Sequence, residues 1–193
     1  KIKAWVDEMI CILPFEVDWY KQHGLEVSYV GHPLLDVVAS FNHEADSGHP
    51  PVAIIPGSRK QEIKKMLPVM LKMSDAFPEE RFVIAGAPAI DKSFYTPFIS
   101  HYNNVELVFG QTHQVMHQAK AAMVTSGTAT LETALFDTPE VVCYYGSAIS
   151  FWLAKRLVKV KFISLVNLIL DRELVKELIQ QEFNHTNLAT ELH

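Results

Sequence analysis

Cysteine is scarce in this 193-residue chain, which carries only Cys11 and Cys143, and neither has a second Cys or a His nearby at metal-ligand spacing. That excludes a disulfide framework and a thiolate metal centre. Both residues sit in apolar, strand-like runs and read as small core residues suited to a reducing cytoplasm. Basic charge is also short: 17 Lys and Arg against 22 Asp and Glu leave a formal charge of −5. A general nucleic-acid binder needs a basic field to neutralise phosphates, so no nucleic-acid partner is expected. No apolar run reaches the roughly 18–20 residues of a spanning helix and no signal peptide precedes the first strand, so a soluble or peripheral protein is expected. The common catalytic signatures are missing as well. There is no Walker A loop, no G-x-G-x-x-G fingerprint, no G-x-S-x-G elbow and no pair of carboxylates that stands out. His113-Gln114-Val115-Met116-His117 has the i, i+4 histidines of a zinc-protease helix, but Gln114 occupies the place of the general-base Glu. The two read as ordinary helix histidines, and neither a metal nor a cofactor is expected.

What is present is the composition of a globular protein, 49% apolar and 20% charged with 8 Gly and 10 Pro, enough for one full-sized core. Short apolar runs that read as buried strands recur at 9–13, 27–30, 52–56, 81–85, 105–109, 121–124 and 141–145. Helical patterns lie between them. Residues 61–73 place Ile63, Met66, Leu67, Met70 and Leu71 at helical spacing around Pro68, a candidate kink, and 127–136 carries Leu131, Ala134 and Leu135 on one face. Alternation of this kind predicts an α/β fold, a doubly wound and mainly parallel sheet with right-handed crossovers and trailing helices. Residues 42–51, rich in His, Ser, Gly and Pro, read as a linker. Residues 1–41 are then the end of an amino-terminal domain or an interdomain segment, and 52–193 a ligand-binding domain. Helices are expected at 148–160 and 172–181. Because the chain starts at Lys1 inside patterned sequence, it is expected to be a piece of something longer.

Two strand-to-helix loops have the makings of an anion site, since such loops present free backbone N–H groups at the positive end of a helix dipole. In Pro56-Gly57-Ser58-Arg59, Gly57 permits a tight turn, Ser58 can cap the next helix with Gln61 as its capping-box partner, and Arg59 can grip a phosphate bidentately. The same residues also describe a well-capped helix with a solvated Arg. The second loop, Thr125-Ser126-Gly127-Thr128-Ala129-Thr130-Leu131-Glu132, supplies hydroxyls, N–H groups and a carboxylate. Glu132 suits the two hydroxyls of a ribose, and it suits equally the dipole of its own helix. Two such loops in one chain point to a nucleotide diphosphate.

These residues, taken in order, resemble the lipid-A-disaccharide synthases, glycosyltransferases of the two-domain GT-B fold. Pro14-Phe15-Glu16 and Tyr29-Val30-Gly31-His32-Pro33-Leu34 are similar to the segment where the family's first domain ends. Pro56-Gly57-Ser58-Arg59 with Glu62, the block Ser126 to Glu132, Ser164-Leu165-Val166-Asn167 and Glu177-Leu178-Ile179-Gln180 resemble its donor-binding half. One departure is Val166, where the family commonly has Pro. The resemblance implies transfer of 2,3-diacylglucosamine from its UDP conjugate to 2,3-diacylglucosamine 1-phosphate, with UDP released and no metal. It implies donor contacts at Gly57, Ser58, Arg59, Ser126, Gly127, Thr128, Glu132, Asn167 and Gln180. It also implies a catalytic base in an amino-terminal domain outside these residues, so this chain alone is expected to be inactive.

The stretch 148–162 carries Lys155, Arg156, Lys159 and Lys161 and no acidic residue, while Ile149, Trp152, Leu153, Leu157 and Val160 share one helical face. Two readings fit: a helix touching the anionic inner face of the inner membrane, or one packed on the core with solvated lysines. Rival functions also remain, namely a peptidoglycan glucosaminyltransferase, a UDP-N-acetylglucosamine epimerase or a non-catalytic nucleotide-binding domain. Nothing in the sequence separates a monomer from a homo-oligomer.

Overall fold

The computed structural model describes residues 2–42, 48–146 and 161–193, which fall into two units, Lys1–Asn42 and His43–His193. Part of the linker expected at 42–51 and the whole helix expected at 148–160 lie outside the described residues.

In the first unit, α1 (Ile2–Trp5), β1 (Ile10–Cys11), α2 (Pro14–Gln22), β2 (Ser28–Tyr29) and α3 (Leu34–Ala39) follow one another, and the two short strands pair in parallel. Pro14 opens α2, where its missing N–H is no loss, and the Glu16 carboxylate accepts the N–H of Leu13 at 3.0 Å. The strands are shorter than the apolar runs predict because little covers them. Cys11 is the one buried side chain among the unit's described residues, while Trp5, Ile10, Trp19 and Val30 are more than half exposed.

The second unit is a six-stranded sheet in which every pairing is parallel. Its elements are β3 (Val52–Ile55), α4 (Lys60–Ala76), β4 (Phe82–Gly86), α5 (Lys92–Ile99), β5 (Val105–Phe109), α6 (Thr112–Gln118), β6 (Ala121–Thr125), α7 (Thr128–Leu135), β7 (Glu140–Tyr144), α8 (Leu165–Leu170), β8 (Lys176–Ile179) and α9 (His185–Leu192). The strand order is β5-β4-β3-β6-β7-β8. The chain therefore steps outward from β3 to β5, returns beside β3 as β6, and steps outward the other way, which is the doubly wound arrangement predicted. Helix α4 packs with α5 and α9, and α7 with α6 and α8.

The core forms where the sheet meets α4, whose Ile63, Met66, Leu67, Met70 and Leu71 are all buried. Burying each such side chain contributes about 1.5–3 kcal/mol, which holds the helix through Pro68, a residue left on its outer side. Cys143 is buried in β7, as its apolar run requires, and burial pushes its thiol upward. At the amino end of β7, Glu140 is buried with no partner for either oxygen, and desolvation pushes its carboxyl up to about 8.

One expected element is different. Residues 172–181 hold good helix formers with Leu174, Val175, Leu178 and Ile179 at helical spacing, yet 176–179 is β8. The reason is tertiary: β7 offers a row of unpaired backbone groups, and Val141 to Tyr144 register against Lys176 to Ile179. The Asn167 side-chain oxygen also accepts the N–H groups of Leu174 (2.7 Å) and Val175 (3.0 Å), which fixes the chain in an extended path.

Candidate functional site

Strands β3 and β6 are neighbours whose onward connections run in opposite directions, and Ile55 is in register with Val124. The Gly57 and Gly127 turns therefore leave the same end of the sheet side by side at the switch point of the strand order, where a parallel sheet opens a crevice. A cavity of about 310 Å³ lies there. Gly57, Ser58, Arg59, Ser126, Gly127 and Thr128 all line it, with the β4 turn and Thr112 on its other sides. Ala87 of the β4 turn is held by its N–H, which donates to the buried Tyr95 hydroxyl at 2.9 Å.

The first turn is built around its glycine. Gly57 has φ +103°, in the region that side chains avoid, and a Cβ there would stand 2.9 Å from Glu62 Oε2. Helix α4 starts one residue later than Ser58 capping requires. Arg59 holds the cap position, and the carboxylate of Glu62, not the amide of Gln61, accepts its N–H at 3.3 Å. Ser58 is left exposed on the turn. Arg59 Nη1 donates to Glu62 Oε1 at 3.1 Å while its side chain stays 80% exposed, so this ion pair contributes at most about 1 kcal/mol and yields readily to a competing anion.

The second turn starts from Thr125, the last residue of β6. Ser126 extends the ladder by donating its N–H to Cys143 O at 3.0 Å, and its hydroxyl donates to Ile163 O at 3.1 Å. Gly127 caps α7 in extended backbone. The N–H groups of Thr128 and Ala129 follow at the positive end of α7, where no earlier turn can take them.

Three further predicted contacts do not line the cavity. Glu132 faces α6 from the second turn of α7, with its Oε2 3.5 Å from His113 Nε2. Gln180 follows β8 in left-handed backbone at φ +55°, its Nε2 buried without a partner. Asn167, expected as a polar donor contact, is fully buried with all four hydrogen-bonding positions taken. Its Nδ2 donates to Val175 O (2.8 Å) and Glu177 Oε1 (2.9 Å), and its oxygen takes the two N–H groups already described. Its geometry is that of a brace. Glu177 also accepts from the N–H of Ile163 (2.9 Å) and from the N–H (3.0 Å) and hydroxyl (2.7 Å) of Ser164, and Ile163 in turn supports Ser126. Val166 is buried in the first turn of α8, a place that proline also tolerates.

Thr125, which opens the second loop but is not among the predicted donor contacts, also lines the cavity, at the carboxyl end of a strand where sites form in such sheets. Among the described residues, no three His, Cys, Asp or Glu side chains converge as metal ligands, and no helix is long and apolar enough to cross a membrane.

With this geometry in view, the relatives are informative. The family model described as lipid-A-disaccharide synthetase matches residues 1–193. The chain belongs to that family. Curated lipid-A-disaccharide synthases of Syntrophus aciditrophicus (strain SB) and Myxococcus xanthus (strain DK1622) are 39% and 38% identical to it, each over 99% of this chain and over 54% and 53% of their own. The chain thus spans about half the length of the curated lipid-A-disaccharide synthases it matches. Among solved structures, a glycotransferase of kitacinnamycin is similar with TM-score 0.52 and 12% identity, over 79% of this chain and 36% of its own. A Listeria monocytogenes protein assigned as a UDP-N-acetylglucosamine 2-epimerase is similar with TM-score 0.50 and 11% identity, over 84% and 38%. At such identities these two show the fold alone, and membership of the lipid-A-disaccharide synthetase family disfavours the epimerase and peptidoglycan glucosaminyltransferase readings.

Proposed function

We propose that this chain is the donor-binding half of a lipid-A-disaccharide synthase. The whole enzyme transfers 2,3-diacylglucosamine from its UDP conjugate to 2,3-diacylglucosamine 1-phosphate and releases UDP. The observation that carries this reading is the single cavity at the sheet's switch point, lined by both glycine turns in a chain matched by the family from end to end.

The donor's diphosphate sits between the two turns. The N–H groups of Thr128 and Ala129 and the dipole of α7 meet its oxygens from one side. Arg59 swings from Glu62 to meet them from the other, and offsets the Glu62 charge at the wall. These groups stabilise the negative charge that grows on departing UDP. The unpartnered amide of Gln180 supports a donor role for that residue, and Glu132 serves the ribose. Asn167 acts by bracing the second turn. The acceptor, the catalytic base and residues 1–41 belong with an amino-terminal domain. The basic stretch 148–162 holds the enzyme peripherally on the inner face of the inner membrane, a reading that rests on its sequence pattern.

Calorimetric titration tests the site. UDP should bind, NAD and ATP far more weakly, and Arg59→Ala should weaken UDP; equal binding of all three nucleotides overturns the reading. The 193-residue chain should show negligible UDP release from the donor and acceptor, and gain it when joined to a relative's amino-terminal half. Substantial turnover by the chain alone would put the base within these residues.

A further inference from the structure

Buried polar atoms without hydrogen-bond partners are few in folded proteins, and each calls for a cause. Among the described residues, those in side chains belong to Glu80, Thr125, Glu140 and Gln180. Glu80 is paired with the Lys120 ammonium. Glu140 opens β7 at the amino end of the sheet, away from the cavity, and Gln180 does not line it. Thr125 does line it, while its residue surface is only 7% exposed.

The other buried threonines show what a hydroxyl does when only the fold uses it. Thr130 donates to Gly127 O at 2.8 Å, Thr133 to Ala129 O at 2.8 Å and Thr138 to Met116 O at 2.6 Å. Thr125 Oγ1 alone among the four has no acceptor. It stands at the carboxyl end of β6, and its methyl Cγ2 lies 3.5 Å from where a Cβ on Gly57 would be, so a turn about its Cα–Cβ bond exchanges methyl and hydroxyl and brings Oγ1 to the face toward that turn. A valine has the same shape and no polar atom to leave unpaired, so folding by itself favours valine here.

We propose that the Thr125 hydroxyl is a ligand contact, donating a hydrogen bond to a phosphoryl oxygen of a nucleoside diphosphate held between the Gly57 and Gly127 turns. The inference rests on the nucleotide reading of this cavity. The surroundings suit that ligand: the α7 N–H groups and Arg59 supply positive potential around the hydroxyl, and the phosphoryl oxygen supplies the acceptor that the protein does not.

The test compares Thr125→Val and Thr125→Ser with the unaltered protein, by thermal unfolding without ligand and by calorimetry with UDP and with uridine. Thr125→Val should unfold at the same or a higher temperature, bind UDP about tenfold more weakly, and bind uridine unchanged, because the lost bond is to phosphate. Thr125→Ser should bind UDP nearly as the unaltered protein does. Unchanged UDP affinity in Thr125→Val overturns the proposal, as does a fall in both melting temperature and affinity, which marks a structural hydroxyl. Gly127→Val separates the two readings. If UDP binding falls in Gly127→Val and not in Thr125→Val, the nucleotide site stands and the Thr125 contact fails. If the unaltered protein does not bind UDP, both readings fail.

Discussion

The Gly57 and Gly127 turns line one cavity, yet glycine is needed in them on different grounds. At Gly57 the backbone is left-handed, at φ +103°, and a Cβ would crowd the Glu62 carboxylate at 2.9 Å. At Gly127 the backbone is extended, with φ 162° and ψ −162°, and the heavy atom nearest to an added Cβ is Thr125 O at 4.0 Å. The fold demands the first glycine. Among the described residues it makes no such demand for the second, and the open space beside position 127 is where the proposed diphosphate would enter. A strained turn thus explains its own glycine, whereas regular backbone beside open space leaves the glycine to be explained by substitution and binding.

That contrast can be broken or sharpened by substitution. The largest effect should come from the brace behind the second turn. Asn167→Ala leaves the Leu174 and Val175 N–H groups and the Glu177 carboxylate short of partners, and should cost about 3 kcal/mol in denaturant unfolding. A loss under about 1 kcal/mol would remove the brace from the account. Next, Gly57→Ala should cost about 2 kcal/mol, from left-handed strain and the crowding of Glu62. Were Gly57→Ala as stable as the unaltered protein, the two glycines would not differ as argued.

A control for both turns lies at the other end of the sheet. The Glu140 carboxyl is raised from 4.5 to about 8 by burial, so its unfolded form ionises first. Its penalty is therefore absent below about pH 4.5, and stability is lost as pH rises toward about 8. Glu140→Gln should gain on the order of 1–2 kcal/mol at neutral pH, gain nothing near pH 4, and leave UDP binding unaltered. A gain independent of pH would show that the carboxyl is not the titrating group. The smallest stability change belongs to Gly127→Ala, within about 0.5 kcal/mol of the unaltered protein but with UDP affinity reduced about tenfold. Full affinity in that variant would return position 127 to the fold.

Much of the second unit's architecture could be read directly. The apolar runs from Val52 onward are strands, and the spacing of Ile63, Met66, Leu67, Met70 and Leu71 marked the buried face of α4. Period and burial coincide in such elements because a strand or helix covered by the sheet's own layers needs no information from elsewhere. The loops that carry Gly57, Arg59, Gly127 and Thr128 were legible for the same reason, as strand ends followed by helix starts. Residues 172–181 were misread because their local preference is helical and the unpaired edge of β7 outweighs it. Asn167 looked like a ligand contact because an amide in a recognisable motif gives no hint of whether its partners are its own chain or a substrate.

The amino-acid sequence by itself determined the alternation of elements, the buried face of α4, the two glycine loops and the family resemblance, since each depends on residues close together in the chain or on their order. Only the tertiary structure decided that those two loops share one cavity, that β8 is a strand, that Asn167 is consumed by a buried network and that the Thr125 hydroxyl has no partner. Those are outcomes of strand order and of which polar groups find one another across the fold, and short-range pattern carries neither.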